Sequence, residues 1–248
     1  MNRGAFMGAV MGTIKMVIGY NKLMCGRFTM YHDADEIMVR FDVQSSLFEP
    51  RAHYNIAPTQ PVAAITAQGP NAERLLEPLR WGLVPFWAKD TAIASKLINA
   101  RSETVQEKPS FKHALTRRRC LIPADGFYEW DRKTKQPTHF RVRGGELFAF
   151  AGLYEEWHAP NSEGSPLRTC TVLTTEANAL VGQIHERMPV ILQSPDDEAM
   201  WLEVGRYKPL DLQPLFAPFP ADQMDAIFVS KRVGSPTNDD AELLVALS

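Results

Sequence analysis

Residues 120–130 read CLIPADGFYEW, and the fold class turns on them. An apolar run, Cys120 to Ala124, halts at Asp125-Gly126, a dipeptide suited to tight turns. It resumes as Phe127-Tyr128-Glu129-Trp130. The pattern predicts a strand, a turn and a second strand. Beyond it, THFRVR (138–143) and LFAFAGLYEEW (147–157) flank Gly144-Gly145 and predict a hairpin. RTCTVLTTEAN (168–178) and MDAIFVS (224–230) predict two further strands. Toward the N-terminus, MCGRF (24–28) reads as a strand, and HYNIAPTQPVAAITA (53–67) as a Pro-broken loop leading into a strand at 61–67. LEPLRWGLVPFWAKD (76–90) reads as a strand followed by an aromatic, Gly/Pro-punctuated loop.

Helical patterns are few. DADEIMVRFDV (33–43) predicts a short helix with Asp33 as N-cap and Glu36 completing a capping box. SFKHALTRR (110–118) is helix-like, and SPDDEAMWLEV (194–204) has Ser194 as N-cap, Pro195 at the first position and acids in the first turn. Strands dominate and do not alternate regularly with helices, which argues against a doubly wound parallel sheet and for a β-rich α+β domain. No repeat, low-complexity tract or Gly/Ser-rich linker divides the chain, so one domain is expected over residues 25–240. A leader (1–24) precedes it and a short tail (241–248) follows.

The 248 residues are 45% hydrophobic and 23% charged, enough apolar material for a sizeable core. The formal net charge of −2 announces no global basic field and leaves room for a local phosphate-binding patch. Three well-separated cysteines, Cys25, Cys120 and Cys170, form no CxxC pair, which speaks against a thiolate zinc site and for reduced thiols in a cytoplasmic protein. Residues 5–20 are apolar but broken by Lys15 and three glycines, too short and interrupted for a membrane span. The leader carries methionines at 1, 7, 11, 16 and 24. Such a segment is expected from a start assigned too far upstream, with Met24 as the true one; an ordered extra segment packing on the domain is the alternative.

Four segments place polar residues among apolar or glycine neighbours: Cys25-Gly26-Arg27, Asn99-Ala100-Arg101-Ser102-Glu103, Asp125 to Trp130, and His185-Glu186-Arg187-Met188-Pro189. Cys25 is either an ordinary buried thiol or, once Met24 is trimmed, a terminal residue with a free α-amine beside its thiol. An α-amine with a pKa of about 7.7–8.0 is roughly one quarter neutral near pH 7.4, whereas a lysine is neutral about one time in a thousand. Such an amine attacks an aldehyde, and the adjacent thiol can close a five-membered thiazolidine ring on the imine carbon. Glu129 reads as a solvated strand carboxylate or as an acid/base in a partly apolar site, on the opposite strand face from Tyr128 and Trp130. His185 is a structural histidine or a proton carrier, and Asn99 a backbone-satisfying amide or the group that orients a reactive amine. Arg27, Arg101 and Arg187 form surface salt bridges or hold phosphates. Trp81 and Trp87 are core residues or part of a base-stacking wedge.

With these segments in place the chain resembles the SOS-response-associated peptidase (SRAP) family, DNA–protein cross-linking proteins that shield abasic sites in single-stranded DNA. The resemblance is carried by MCGRF, YNIAPTQ (54–60), WGLVPFW (81–87), INARSET (98–104), IPADGFYEW (122–130), IHERMPVIL (184–192) and, more weakly, VSKRVGSPTND (229–239), in family order. It implies a barrel-like, mixed or antiparallel sheet with a few short helices and a DNA channel on one face. It further implies Cys25 as the N-terminal nucleophile, Asn99 positioning its amine, Glu129 as acid/base and His185 assisting imine formation. Arg27, Arg101 and Arg187 would hold phosphates around the lesion. Neither metal nor organic cofactor is implied.

The expected partner is single-stranded DNA containing abasic sites, bound by a monomer without a membrane and nucleoid-associated when on DNA. Two features depart from the family pattern. Twenty-four residues precede Cys25, and Met188 stands where a further basic residue would be natural beside Arg187. Other readings of the same residues are a cysteine-type (auto)peptidase using Cys25 and His185, a lyase-like activity on the sugar, and a non-covalent single-stranded DNA-binding module.

Overall fold

The computed structural model describes residues 25–67, 73–160 and 163–247. Among them, the strands in chain order are β1 (Phe28–Met30), β2 (Ser45–Ser46), β3 (His53–Ile56), β4 (Pro61–Thr66), β5 (Leu75–Trp81), β6 (Asn99–Arg101), β7 (Arg119–Ala124), β8 (Gly126–Trp130), β9 (Pro137–Val142), β10 (Phe148–Trp157), β11 (Leu167–Glu176), β12 (Arg187–Pro189) and β13 (Met224–Phe228). Three short helices accompany them: α1 (Ala34–Arg40), α2 (Pro109–Arg117) and α3 (Pro195–Leu202). The expected β-rich α+β class is what the chain adopts.

Five strands close into a barrel in the order β11-β10-β7-β4-β5, with β5 returning to β11. Strands that alternate in direction around a ring of five leave one pair running the same way. That seam is β5–β11, where Arg80 and Trp81 pair in parallel with Thr169 and Cys170. By their pairing registers Val62, Leu79, Trp81, Ile122, Phe150 and Val172 share one face of the barrel sheet, and all are essentially buried. At about 25 cal/mol per Å² of apolar surface, each such large side chain contributes roughly 1.5–3 kcal/mol of transfer free energy.

The β11 strand runs past the barrel, and its second half organises the site. After leaving β5 it pairs in parallel with β6, Val172 to Thr174 against Asn99 to Arg101. After leaving β10 it pairs antiparallel with β12, Thr174 to Glu176 against Pro189 to Arg187. Beside the barrel lies an antiparallel sheet in the order β13-β9-β8-β1-β3.

The strand, turn and strand predicted at 120–130 form, but not as a hairpin, and the hairpin predicted across Gly144-Gly145 does not form. β7 and β8 do not pair with each other: β7 lies in the barrel between β10 and β4, whereas β8 lies between β9 and β1. Asp125 and Gly126 therefore carry the chain from one sheet to the other. The Asp125 carboxylate is buried and accepts from Tyr31 N and from His32 Nδ1. Gly126 is required because a Cβ there would collide with the His139 ring and lie 2.6 Å from Phe140 O. The strands flanking Gly144-Gly145 likewise separate, β9 to the open sheet and β10 to the barrel. The two glycines, with φ of 87° and 74°, turn the chain through the left-handed region that other residues avoid. Alternating patterns look the same in a hairpin and in a crossing between sheets, so local sequence could not separate them.

The helices form as their sequences dictate. Asp33 caps α1, with the reciprocal Glu36 bond of a full capping box, and Ser194 caps α3 ahead of Pro195 and three acids. Residues 53–56, expected as loop, are the edge strand β3. No described helix is long and apolar enough to cross a membrane. Among the described residues, no group of three or more His, Cys, Asp and Glu is placed to hold a metal ion.

Candidate active site

Cys25 stands just before β1, and the β1–β8 ladder determines what it meets. Phe28 pairs with Phe127 and Thr29 with Gly126, and Tyr128 N donates to Arg27 O. Extending that register brings Cys25-Gly26 level with Glu129-Trp130. There the backbone nitrogen of Cys25 donates to Glu129 Oε1 at 2.6 Å. The alternation along β8 turns Tyr128 the other way, into an apolar cluster with Val229, Val233 and Leu243, and its hydroxyl donates to Tyr54 O at 2.8 Å. Cys25 has a φ of 43°, in the left-handed region that a residue with a side chain occupies only under constraint.

The second half of β11 supplies the rest. Through β6 it places Asn99, whose Nδ2 lies 3.5 Å from Cys25 O. Through β12 it places Arg187, whose carbonyl oxygen lies 4.0 Å from Cys25 Sγ. His185 ends a short 3₁₀ turn, its amide donating to Val181 O at 2.9 Å. Its Nδ1 accepts from Arg187 N at 3.1 Å, so the neutral ring carries its proton on Nε2. The same Nδ1 is 3.3 Å from Arg187 O, which accepts from the ring once it is protonated. Cys25, Asn99, Glu129 and His185, singled out from separate segments, thus come together at one place.

The electrostatics of the pocket favour neutral groups. Burial, and then Glu129, push the Cys25 thiol well above its usual pKa, with Arg187 opposing. Burial raises Glu129 above the ordinary carboxylate range; the neighbouring His185 and the bonds from Cys25 pull it back only in part. At 3% exposure, Glu129 is a buried carboxyl set against the Cys25 nitrogen.

The arginines differ from one another. Arg101 is exposed on β6. Arg27 is half-buried; its Nη1 donates to Asn55 Oδ1 (2.9 Å) and Val233 O (2.8 Å), and its Nη2 to Gly234 O (3.3 Å). Arg187 is only 7% exposed. Its guanidinium forks onto the Glu103 carboxylate and also reaches Thr174 O at 2.6 Å. Burial raises the Glu103 pKa, and Arg187 outweighs it, leaving that carboxyl below its usual range.

Trp81 is enclosed in the barrel, its indole N–H donating to Ile98 O, and offers no face to a ligand. Trp87 and Phe86 are about half exposed, at 49% and 51%. Met188 is fully buried, its sulfur accepting from Asn178 N, so a charged residue there would lie in the interior rather than strengthen a surface patch.

Glu103 and Thr174, which hold Arg187, and Asn55, which holds Arg27, escaped the sequence reading. Glu103 stood within a quoted segment, two residues from Arg101 on the alternating pattern. Asn55 carried no signal, because apart from Arg27 its side-chain partners lie in the last twenty residues.

Comparison with known proteins identifies relatives of the chain. The family model described as SOS response associated peptidase (SRAP) matches residues 24–236. Abasic site processing protein YoqW of Bacillus subtilis (strain 168) is 49% identical over 226 residues, covering 89% of this chain and 99% of that protein. Abasic site processing protein HMCES of Gallus gallus is 34% identical over 201 residues, covering 71% of this chain and 59% of that one. Among solved structures, a protein from Bacteroides thetaiotaomicron superposes with a TM-score of 0.79 at 27% identity, covering 90% of this chain and all of that one.

Proposed function

Because the chain belongs to the SOS response associated peptidase family, we propose that it processes abasic sites in DNA by forming a covalent thiazolidine cross-link through Cys25. The observation that carries this reading is the 2.6 Å approach of the Cys25 nitrogen to the buried Glu129 carboxylate.

In the reacting form Cys25 is the first residue and its nitrogen a primary amine. An abasic deoxyribose opens to an aldehyde. The amine attacks the aldehyde carbon, a C–N bond forms, and the carbonyl oxygen leaves as water to give an imine. Glu129 moves the protons, taking one from nitrogen and delivering one to the departing oxygen, and its raised pKa suits both roles. Cys25 Sγ then adds to the imine carbon while the thiol proton passes to nitrogen. One water is lost overall. Asn99 holds the Cys25 carbonyl, and His185, with its Nε2–H in the neutral state, serves as a second proton carrier. Single-stranded DNA, bound by one copy of the chain, suits a site that must reach an extrahelical sugar.

Residues 1–24 are absent from the reacting form, either because synthesis starts at Met24 and that methionine is trimmed, or because the 24–25 peptide bond is cut. The left-handed φ of Cys25 supports the second route. That torsion exists only while residue 24 is attached, and breaking the bond releases a strain of roughly 1–3 kcal/mol. A general cysteine peptidase is disfavoured. Its nucleophile must be readily ionised, whereas burial and the neighbouring Glu129 push this thiol toward the neutral form.

The test is an intact mass of the 248-residue chain, and of a chain started at Met24, after incubation with single-stranded DNA carrying one abasic site. A species beginning at Cys25 and heavier by the DNA minus one water is expected. Failure of the Met24-start chain to form any adduct would overturn the reading.

A further inference from the structure

The turn joining β8 to β9, residues 131–136, carries Arg132, Lys133 and Lys135, all exposed. It begins two residues beyond Glu129, so its cations lie at most roughly 20 Å of extended backbone from the reacting carboxyl. Two observations separate it from an ordinary charged surface.

The turn is fixed from within. Asp131 Oδ1 accepts from Lys133 N (2.9 Å), Thr134 N (2.7 Å) and Thr134 Oγ1 (2.9 Å). Asp131 N donates to Gln136 O and Lys135 N to Asp131 O, each at 3.0 Å, and Gln136 Nε2 donates to Val229 O at 2.8 Å. The single carboxylate of the turn is thus directed at backbone amides. Among the described residues neither lysine forms an ion pair.

The turn is also tied to the site. Arg132 Nη2 lies 3.1 Å from Glu186 Oε1, and Glu186 sits between His185 and Arg187. The basic turn thus follows directly on the strand that carries Glu129 and is joined by an ion pair to the segment that carries His185.

We infer that this turn is a phosphate ledge for the DNA strand flanking the abasic nucleotide, with Lys133 and Lys135 as its cations and the Arg132–Glu186 pair as its tether. The inference rests on the DNA reading above. It adds an anchoring point, apart from the exposed Arg101, that neutralises charge without reading sequence.

The test is equilibrium binding of an unmodified single-stranded oligonucleotide by the intact chain and by Lys133→Gln/Lys135→Gln, between 50 and 200 mM salt. Loss of two phosphate contacts lowers the slope of log affinity against log salt by about 1.4, so the wild-type advantage shrinks about sevenfold across that range. Adduct yield at saturating abasic DNA stays unchanged. Asp131→Ala is the second arm. It removes a negative charge, so a diffuse field would tighten binding, whereas loss of a preformed ledge weakens it.

An unchanged slope in the double variant, or tighter binding by Asp131→Ala, overturns the ledge while leaving the DNA reading intact. A wild-type chain that binds no oligonucleotide overturns both.

Discussion

The backbone nitrogen of Cys25 lies 2.6 Å from Glu129 Oε1, two groups brought together across 104 residues of chain. A carboxyl that burial lifts above its ordinary range is thereby set against the nitrogen that the proposed reaction would deprotonate. Glu129→Gln keeps an acceptor oxygen and loses the exchangeable proton. Cross-linking should slow by about 10²–10⁴-fold, with non-covalent DNA affinity little changed. The rate of the unmodified protein should fall with acid at a pH above the usual carboxylate range.

The same substitution should stabilise the fold. A folded pKa raised above the unfolded one means that the ionised form is disfavoured in the folded state, so the penalty is fully present above the folded pKa and is relieved as pH falls toward the unfolded value. At pH 7, Glu129→Gln should raise the thermal midpoint, and the difference should vanish at low pH. A midpoint lowered at pH 7 would show that the Cys25 and His185 contacts outweigh burial.

Replacing sulfur by oxygen separates the two bond-forming steps. Cys25→Ser, with a free terminus, should still form an imine that borohydride traps near neutral pH. It should form no adduct that survives heating without reductant. Equal heat-stable yield from serine and cysteine would exclude ring closure by Sγ.

Arg101 and Arg187 should fail in different ways. Arg101 is exposed, and Arg101→Gln should weaken binding to all single strands and reduce the salt slope by roughly 0.7. Arg187 is held by Glu103 and Thr174 O, and its carbonyl meets both Cys25 Sγ and His185 Nδ1. Arg187→Gln and Glu103→Gln should therefore slow adduct formation at saturating DNA while leaving the salt slope nearly intact. A slope reduced as much as in Arg101→Gln would make Arg187 a phosphate ligand instead.

His139 gives the fold a pH dependence of its own. Burial, aided by Arg141, lowers its pKa to about 3 from 6.5, and its Nε2 lies 3.2 Å from Thr29 Oγ1. With the folded value depressed, the unfolded chain binds a proton that the folded one refuses. Stability is then unaffected above about pH 6.5 and falls by up to about 1.4 kcal/mol per pH unit below it. Between pH 6.5 and 5, His139 alone should remove ~2 kcal/mol, read as a lower urea midpoint. Its ring resonances should stay those of a neutral imidazole at pH 5; an imidazolium there would refute the assignment.

Sequence pattern reached the elements whose causes are local. The α1 and α3 caps, the strand at Pro61–Thr66 and the break at Asp125-Gly126 each depend on neighbours within a few residues. What it missed depends on distant chain. Whether the strands beside Gly144-Gly145 pair or part is decided by β8, β13, β7 and β11.

The four candidate site residues were visible as polar groups in apolar settings, but Cys25 and Glu129 meet through the β1–β8 pairing and the others join through the second half of β11, which no local pattern announces. Trp81 illustrates the reverse: an aromatic-rich stretch reads alike whether its rings face the core or solvent, and only the barrel seam enclosed it. Asn55 shows the limit most plainly, since its side-chain amide donates to the carbonyls of Val233, Ser235 and Asn238, all near the far end of the chain.

The long separation between nucleophile and carboxyl has a consequence for synthesis. A ribosome adding roughly 5–20 residues per second releases Cys25 some 5–20 s before Glu129 exists, and His185 follows later still. During that interval a free terminal cysteine would be an unguarded scavenger of cellular aldehydes, without the pocket that selects a sugar on DNA. Any leader still attached through Cys25 keeps its nitrogen an amide over the same interval. Residues 1–24 would in that case act as a timer, withholding the warhead until its catalyst has been made.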